Sequence, residues 1–177
     1  MAIVADGRSH AVARVAAMYD DHVDLVFAYL ARRVGAQLAR DLTGEVFRIG
    51  LERISSFDPT VGSARSWLLG IATNQVRHHW RSEQRRLHAL ALVGRRDAAD
   101  GDPLGGVDDQ LDATSRLDRV IDAIERLSPE DRDLLVLVAW EGCSSEQVGE
   151  VLLIPPGTVR SRLNRIRAML RAEERAS

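Results

Sequence analysis

Residues 144–170 read SSEQVGEVLLIPPGTVRSRLNRIRAML and contain the signals for two short helices joined by a tight turn. Ser144, with Gln147 three residues later, fits a capping box that starts the first helix. The segment Ile-Pro-Pro-Gly at 154–157 makes the turn, and the second helix extends to about Glu173. This succession predicts a helix-turn-helix.

The second of these helices has two different faces. An apolar stripe that would attach it to its domain recurs at helical spacing and consists of Val159, Leu163, Ile166 and Leu170. The other face offers donors to a DNA major groove, which is wide enough for one helix, and its candidate contacts are Thr158, Arg160, Ser161, Asn164 and Arg165. Residues 155–177 carry six Arg against two Glu, although an Arg-rich helix face is also typical of an ordinary solvated surface.

The rest of the chain also has helical periodicity and capping signals, so the fold class is predicted to be all-α. Helices are expected over about 19–30, 36–54 and 63–86, and again from 115 onward, where Ser128-Pro129-Glu130-Asp131 is a strong helix start. Between them lies a segment rich in Gly and Asp. We therefore predict two small helical domains, at 15–86 and 115–175, joined by a flexible acidic linker at 87–114.

Charge is distributed unevenly although the net charge is only -2. Every basic residue is Arg, and residues 65–88 carry five Arg against one Glu, so two basic regions flank the acidic linker. Arg suits phosphate and guanine edges because its guanidinium can donate two parallel hydrogen bonds. The pattern favours a nucleic-acid partner over a uniformly solvated surface.

Several function classes are excluded at this level. The single cysteine, Cys143, cannot build a disulfide framework or a zinc cluster, and the five His are scattered without metal-ligand spacing. With no Gly-rich phosphate loop either, we expect no catalytic residues, no metal and no cofactor. These absences together predict that the protein is not an enzyme. The chain also has no apolar run long enough for membrane insertion and no signal-peptide pattern, which predicts a cytoplasmic protein.

Four stretches resemble the extracytoplasmic-function (ECF) RNA polymerase sigma factors. Residues 145–170, above all Pro-Gly-Thr-Val-Arg-Ser-Arg-Leu at 156–163, resemble region 4 of that family, and Leu127–Leu135 also fits. Residues 41–47, Asp-Leu-Thr-Gly-Glu-Val-Phe, resemble the region 2 segment that docks on polymerase, and residues 65–74 resemble the promoter-melting segment. Both regions occur in the family's order.

The resemblance implies partners and roles. Such a protein binds core RNA polymerase and promoter DNA, and it is commonly held inactive by an anti-sigma factor, often in a stress response. Region 4 would read the -35 element through the five residues of the last helix, and region 2 would recognise and melt the -10 element. Two sets of region 2 candidates follow: Phe57, Trp67, Asn74, Arg77 and Arg81 for -10 DNA, and Asp41, Leu42, Glu45 and Phe47 for polymerase.

Trp67 shares a helix face with Ile71, so a core role is the alternative for that residue. The sequence also departs from the family at two positions. Gly44 replaces a polar side chain in the polymerase-binding helix, at a cost of about 0.5–1 kcal/mol of helix stability. Leu153 replaces the Gly common in the helix-turn-helix turn, so it must avoid or tolerate a left-handed conformation.

Two alternative functions stay open from the residues alone. The first is a stand-alone helix-turn-helix transcriptional regulator that binds duplex DNA without polymerase. The second is a helical interaction protein that binds no DNA and whose Arg faces are surface only; its behaviour would be insensitive to salt.

Overall fold

The structure is a computed structural model that describes residues 2–94 and 112–175. All regular elements in these two ranges are helical, which confirms the all-α prediction. The helices are α1 (Ala2–Val34), α2 (Ala36–Arg53), a 3-10 turn (Ile54–Ser56), α3 (Ala64–Gly94), α4 (Asp112–Glu125), α5 (Pro129–Ala139), α6 (Ser145–Leu152) and α7 (Pro156–Arg175). We call α1–α3 the N-terminal half and α4–α7 the C-terminal half.

The N-terminal half packs three helices around a core of large side chains. Gly35 joins α1 to α2 at φ 81°, a left-handed conformation that glycine adopts without the strain of a Cβ. The fully buried side chains of the N-terminal core include Val26, Leu30, Val46, Leu68, Leu69 and Val76. Tyr29 is buried with them, and its hydroxyl is hydrogen-bonded to the Thr73 hydroxyl at 2.7 Å. Tyr29 and Thr73 thus form a satisfied polar pair in a mainly apolar core that also contains the buried hydroxyls of Thr43 and Ser66.

Local capping signals define the helices of the C-terminal half. The Ser128 side chain accepts a hydrogen bond from the Asp131 backbone N–H at 3.1 Å, and Pro129 occupies the first helical position of α5. At the start of α6, Ser144 and Gln147 form the reciprocal capping box that the sequence predicts. The predicted start signals of α5 and α6 are thus confirmed.

The turn between α6 and α7 contains a left-handed residue that is not glycine. Leu153 has φ 57° and is 87% exposed. The turn therefore keeps its left-handed residue although Leu replaces the common Gly, and the Leu153 backbone is strained. Such a conformation costs an L-residue roughly 1–2 kcal/mol. Gly149 is required by the same turn, since a Cβ there would lie 2.8 Å from the Ile154 carbonyl oxygen.

Some predicted boundaries were wrong. Helix α3 continues to Gly94 instead of ending at Arg86, because residues 87–93 are mostly Leu and Ala, which are strong helix formers, and include no Gly or Pro. Helix α1 begins at Ala2, well before the predicted start at Tyr19. The predicted linker at 87–114 is thus helical at both of its ends, and its central residues, 95–111, lie outside the described residues.

The two halves contact each other through α3 and α6. A Cβ on Gly70 of α3 would lie 3.4 Å from the Val151 carbonyl oxygen of α6, so the two backbones approach closely there. The buried apolar residues of both halves form one cluster across this contact. Among the helices described here, none combines the length and the apolar character needed to cross a membrane.

Candidate nucleic-acid interface

The outer face of α7 presents four of the five predicted contacts to solvent. Arg160, Ser161, Asn164 and Arg165 are exposed, and Thr158 is half-buried at the start of the same face. The opposite face is anchored by Val159, Leu163 and Ile166, all buried in the C-terminal half. The helix is therefore held by one face and free to enter a groove with the other.

The arginines of this face already have acidic partners within their own half. Arg165 donates to Asp131 of α5 at 2.9 Å, and Arg162 lies 3.7 Å from the other oxygen of the same carboxylate. Arg160 lies 3.4 Å from Glu146, but both side chains are exposed, so that pair contributes little to stability. DNA phosphates or base edges would have to replace these partners.

Asp131 and Arg162 were missed by the sequence reasoning. Asp131 is the third residue of α5, where an acidic side chain was attributed only to the helix dipole. It is nearly buried, and its two oxygens face different arginines of α7. Its position opposite α7 depends on tertiary packing, for which the sequence held no signal.

The structure divides the candidates for -10 DNA into separate groups. Phe57 and Trp67 pack against each other with ring centroids 5.2 Å apart, and the Arg14 guanidinium lies 5.7 Å from the Phe57 ring. A Cβ on Gly50 would lie 3.7 Å from the Trp67 ring, so this indole packs onto the α2 backbone. This packing supports the core role that is the alternative interpretation of Trp67.

Asn74 and Arg81 lie together elsewhere on α3. They line a cleft of about 480 Å³ between α2 and α3, with Glu45, Gln75 and His78. Phe57 and Trp67 are not among the residues that line this cleft. Asn74 is exposed, and the cleft is polar enough to hold the edge of an unstacked base by hydrogen bonds.

Arg77 is the candidate for -10 DNA that forms an ion pair between the two halves. We call the contact of α1 and α3 with α5 and the turn after it the seam. The Arg77 Nε lies 2.5 Å from the Asp133 carboxylate of α5, and the Arg77 side chain is largely covered. Arg81, one turn later, is exposed and donates to the Arg77 carbonyl oxygen at 3.1 Å. The two arginines, predicted to act alike, therefore differ in their availability to DNA.

The polymerase-binding candidates lie on α2, but they are not equally accessible. Asp41 is exposed, and Leu42 and Glu45 are half-exposed. Phe47 is only 7% exposed and packs edge-on against Tyr19, so its ring supports the helix from below and is not available at the surface. Gly44 is exposed with open space around it.

Glu45 is engaged by a neighbour on its own helix. Arg48 Nε donates to the Glu45 carboxylate at 2.7 Å, and Arg48 also pairs with Glu52. The hydrogen bonds from Arg48 lower the pKa of Glu45, so that its carboxylate stays charged. The surface of α2 thus presents one positive and two negative side chains that are held together by ion pairs.

Fold and surface together define a DNA-binding transcription protein with an all-helical body in two halves and a helix-turn-helix in the second. Two family models match it: Sigma-70 region 2 over residues 18–86 and Sigma-70, region 4 over residues 117–170. The chain belongs to the ECF RNA polymerase sigma factors.

Its relatives include the ECF RNA polymerase sigma factor SigL of Mycobacterium tuberculosis, to which it is 31% identical over 93% of this chain and 90% of that one. It is also 31% identical to the RNA polymerase sigma factor CarQ of Myxococcus xanthus over 84% of this chain and 82% of the relative. These matches favour a sigma factor over a stand-alone regulator.

Two solved structures have a similar fold. One is CnrH in complex with the cytosolic domain of CnrY, with a TM-score of 0.59 and 23% identity over 95% of this chain and 92% of that one. The other is the sigma factor RpoE from Bartonella quintana in complex with the anti-sigma factor NepR, with a TM-score of 0.52 and 18% identity over 88% and 92%.

Proposed function

We propose that the chain directs core RNA polymerase to promoters by reading two DNA elements with its two halves. Region 4, over residues 115–175, reads the -35 element through α7, and region 2, over residues 15–86, recognises and melts the -10 element. The observation that carries this proposal is the exposed Arg, Ser and Asn face of α7, held by a buried apolar stripe behind a capped α6.

Recognition by α7 is an exchange of partners. Arg160 and Arg165 leave Glu146 and Asp131 for phosphate oxygens or guanine edges, while Asn164 and Ser161 donate to bases or to the backbone. Because each exchange replaces one hydrogen-bond acceptor by another, the guanidinium groups keep a partner, and the shape of α7 need not change. Thr158, at the helix start, is placed to contact a phosphate.

Melting relies on the polar cleft between α2 and α3. Extruding a base costs a few kcal/mol, and hydrogen bonds from Asn74, with charge from Arg81, offset part of that cost. Phe57 and Trp67 support the loop before α3 by packing and do not line this cleft. Arg77 contributes to DNA backbone contacts once its ion pair with Asp133 is broken.

Core polymerase binds the exposed side of α2. Asp41, Leu42 and Glu45 supply the contact, and Phe47 fixes the helix on α1 through Tyr19. Such a protein performs no covalent chemistry and acts in the cytoplasm, where transcription occurs. Two proteins of similar fold form complexes with NepR and with the cytosolic domain of CnrY, which supports an anti-sigma partner here too.

The role of Asn74 is tested with Asn74→Ala in a complex with core polymerase. We expect normal binding to core enzyme in a pull-down but loss of permanganate-reactive thymines at the -10 element, because the base loses its hydrogen-bonding partner. Ser82→Ala, an exposed change on α3 outside the lining of this cleft, serves as the matched control. Unchanged permanganate reactivity in the Asn74 variant would remove this residue from the mechanism.

A further inference from the structure

The seam between the halves contains a buried carboxylate held by two arginines of the opposite half. Asp133 of α5 is 1% exposed. It pairs with Arg33 of α1 through one oxygen and with Arg77 of α3, at 2.5 Å, through the other. Arg33 is itself oriented by a 3.1 Å hydrogen bond to the Tyr29 hydroxyl.

A second set of contacts lies next to this one along the same seam. Arg32 of α1 pairs with the Glu141 side chain, which is 5% exposed. Arg65 of α3 donates to the Glu141 carbonyl oxygen at 2.6 Å and lies 3.3 Å from the Cys143 Sγ. Four arginines of the N-terminal half therefore hold α5, at Asp133, and the turn that follows it.

We infer that these contacts form an autoinhibitory latch in which Asp133 keeps the two halves closed and withholds Arg77 from DNA. The inference rests on the proposed function for the role of Arg77, since that role makes the contact inhibitory. One guanidinium edge cannot serve Asp133 and a phosphate at once, so Arg77 reaches DNA only after the halves separate. Arg81, which is exposed, is under no such restriction.

Electrostatics explains why one carboxylate has this influence. A buried charge is tolerated only when it is paired, and removing one partner leaves the others uncompensated. Without Asp133, Arg33 and Arg77 would face each other as like charges next to the seam. Separation of the halves would return both guanidiniums to water.

Asp131 supplies a matched control two residues away on the same helix. It too is nearly buried between two arginines, but these are Arg162 and Arg165 of its own half. Asp131→Asn therefore removes a comparable charge without touching the seam. Any general loosening of the C-terminal half appears in both variants, and opening appears only in Asp133→Asn.

The first test measures the full free chain by small-angle scattering. A closed chain of this length has a radius of gyration of about 16 Å by the scaling of compact proteins. We expect this value for the wild type and for Asp131→Asn, and a larger one for Asp133→Asn. Alkylation of Cys143, the single cysteine, should accelerate about tenfold in Asp133→Asn, because Arg65 no longer covers its sulfur.

Arg33→Gln repeats the test from the N-terminal half, in case Asp133→Asn disturbs folding of α5. Circular dichroism confirms helix content, and we again expect an enlarged radius. This variant keeps Arg77, so it should bind a short mixed-sequence single strand of DNA more tightly, with a salt dependence steeper by about 0.7 per phosphate gained.

Wild-type radii and alkylation rates in both variants would overturn the latch. Expansion without a gain in DNA binding would overturn the claim that the latch withholds Arg77. All three readouts, the radius, the alkylation rate and DNA binding, use the free chain, so they are independent of whether it supports transcription. Failure of the proposed function would show instead as absence of transcripts with core polymerase.

Discussion

Arg165 of α7 and Arg77 of α3 are both held by carboxylates of α5, but the two carboxylates connect different parts of the molecule. Asp131 pairs with arginines of its own half, and Asp133 pairs with arginines of the other half. The face of α7 can therefore exchange its partners for DNA without any large movement. In the latch that we infer, Arg77 of α3 depends on separation of the halves, so the two proposed DNA-binding surfaces become available at different stages.

The largest expected effect concerns the attachment of α7. Ile166 is 1% exposed beneath the DNA-facing side, and Ile166→Ala should destabilise the C-terminal half by about 2–5 kcal/mol through lost burial and a cavity. Urea denaturation measures the free energy of unfolding. The exposed neighbour Arg167→Ala should change it by less than about 0.5 kcal/mol. Equal effects of the two substitutions would mean that α7 is not held by this face.

The second effect concerns Tyr29, which lies beneath Arg33 in the N-terminal half. Burial raises its pKa from 10.0 to about 12, because the phenolate loses its hydration. The protonated phenol is favoured in the folded state. The contribution of Tyr29 to the free energy of unfolding is therefore complete below pH 10.0 and is lost as pH rises towards 12. The free energy of unfolding falls by about 3 kcal/mol in total when this loss is complete at the alkaline limit.

The chain has two tyrosines, so Tyr19→Phe leaves Tyr29 as the single reporter for an ultraviolet titration. We expect tyrosinate absorbance to appear near pH 12 in the folded chain and near pH 10.0 in urea. A folded titration near 10.0 would show that Tyr29 is hydrated and that the N-terminal core is looser than described.

The third effect tests how α7 reads DNA. Arg160→Ala in the holoenzyme should weaken binding to a specific -35 duplex by about 1–3 kcal/mol if the guanidinium grips a guanine. Arg171→Ala, at an exposed position near the end of the same helix, is the matched control for lost charge. If binding to specific and scrambled duplexes falls equally, Arg160 contacts only phosphate.

The smallest effect has the opposite sign. Leu153→Gly should stabilise the C-terminal half by about 0.5–1 kcal/mol, because glycine removes left-handed strain, less its own loss of chain entropy. Little packing is lost, since Leu153 is 87% exposed. Thermal unfolding measures the gain. Destabilisation would imply that the Leu153 side chain makes contacts that its exposure does not reveal.

Local signals explain which parts of this molecule could be predicted from sequence. Ser128 with Pro129, and Ser144 with Gln147, act within one turn, so their caps were predicted correctly. The apolar stripe of α7 follows from helical spacing alone. The left-handed strain at Leu153 could be suspected only because a Gly is common there.

Tertiary placement explains the rest. Asp131 and Asp133 are separated by one residue in α5, yet packing directs them to arginines of different halves. Arg77 and Arg81 formed one basic group in the sequence, and the seam separates them into a covered and an exposed residue. Phe47 and Trp67 fitted functional motifs, while the fold uses both rings for packing.

The most direct test of the central claim is run-off transcription with core RNA polymerase on genomic fragments. We predict discrete transcripts that require the chain, whose start sites share two upstream elements, and no tight duplex binding by the chain alone. The absence of such transcripts, together with tight duplex binding by the chain without polymerase, would contradict the assignment of promoter recognition to this molecule as a sigma factor.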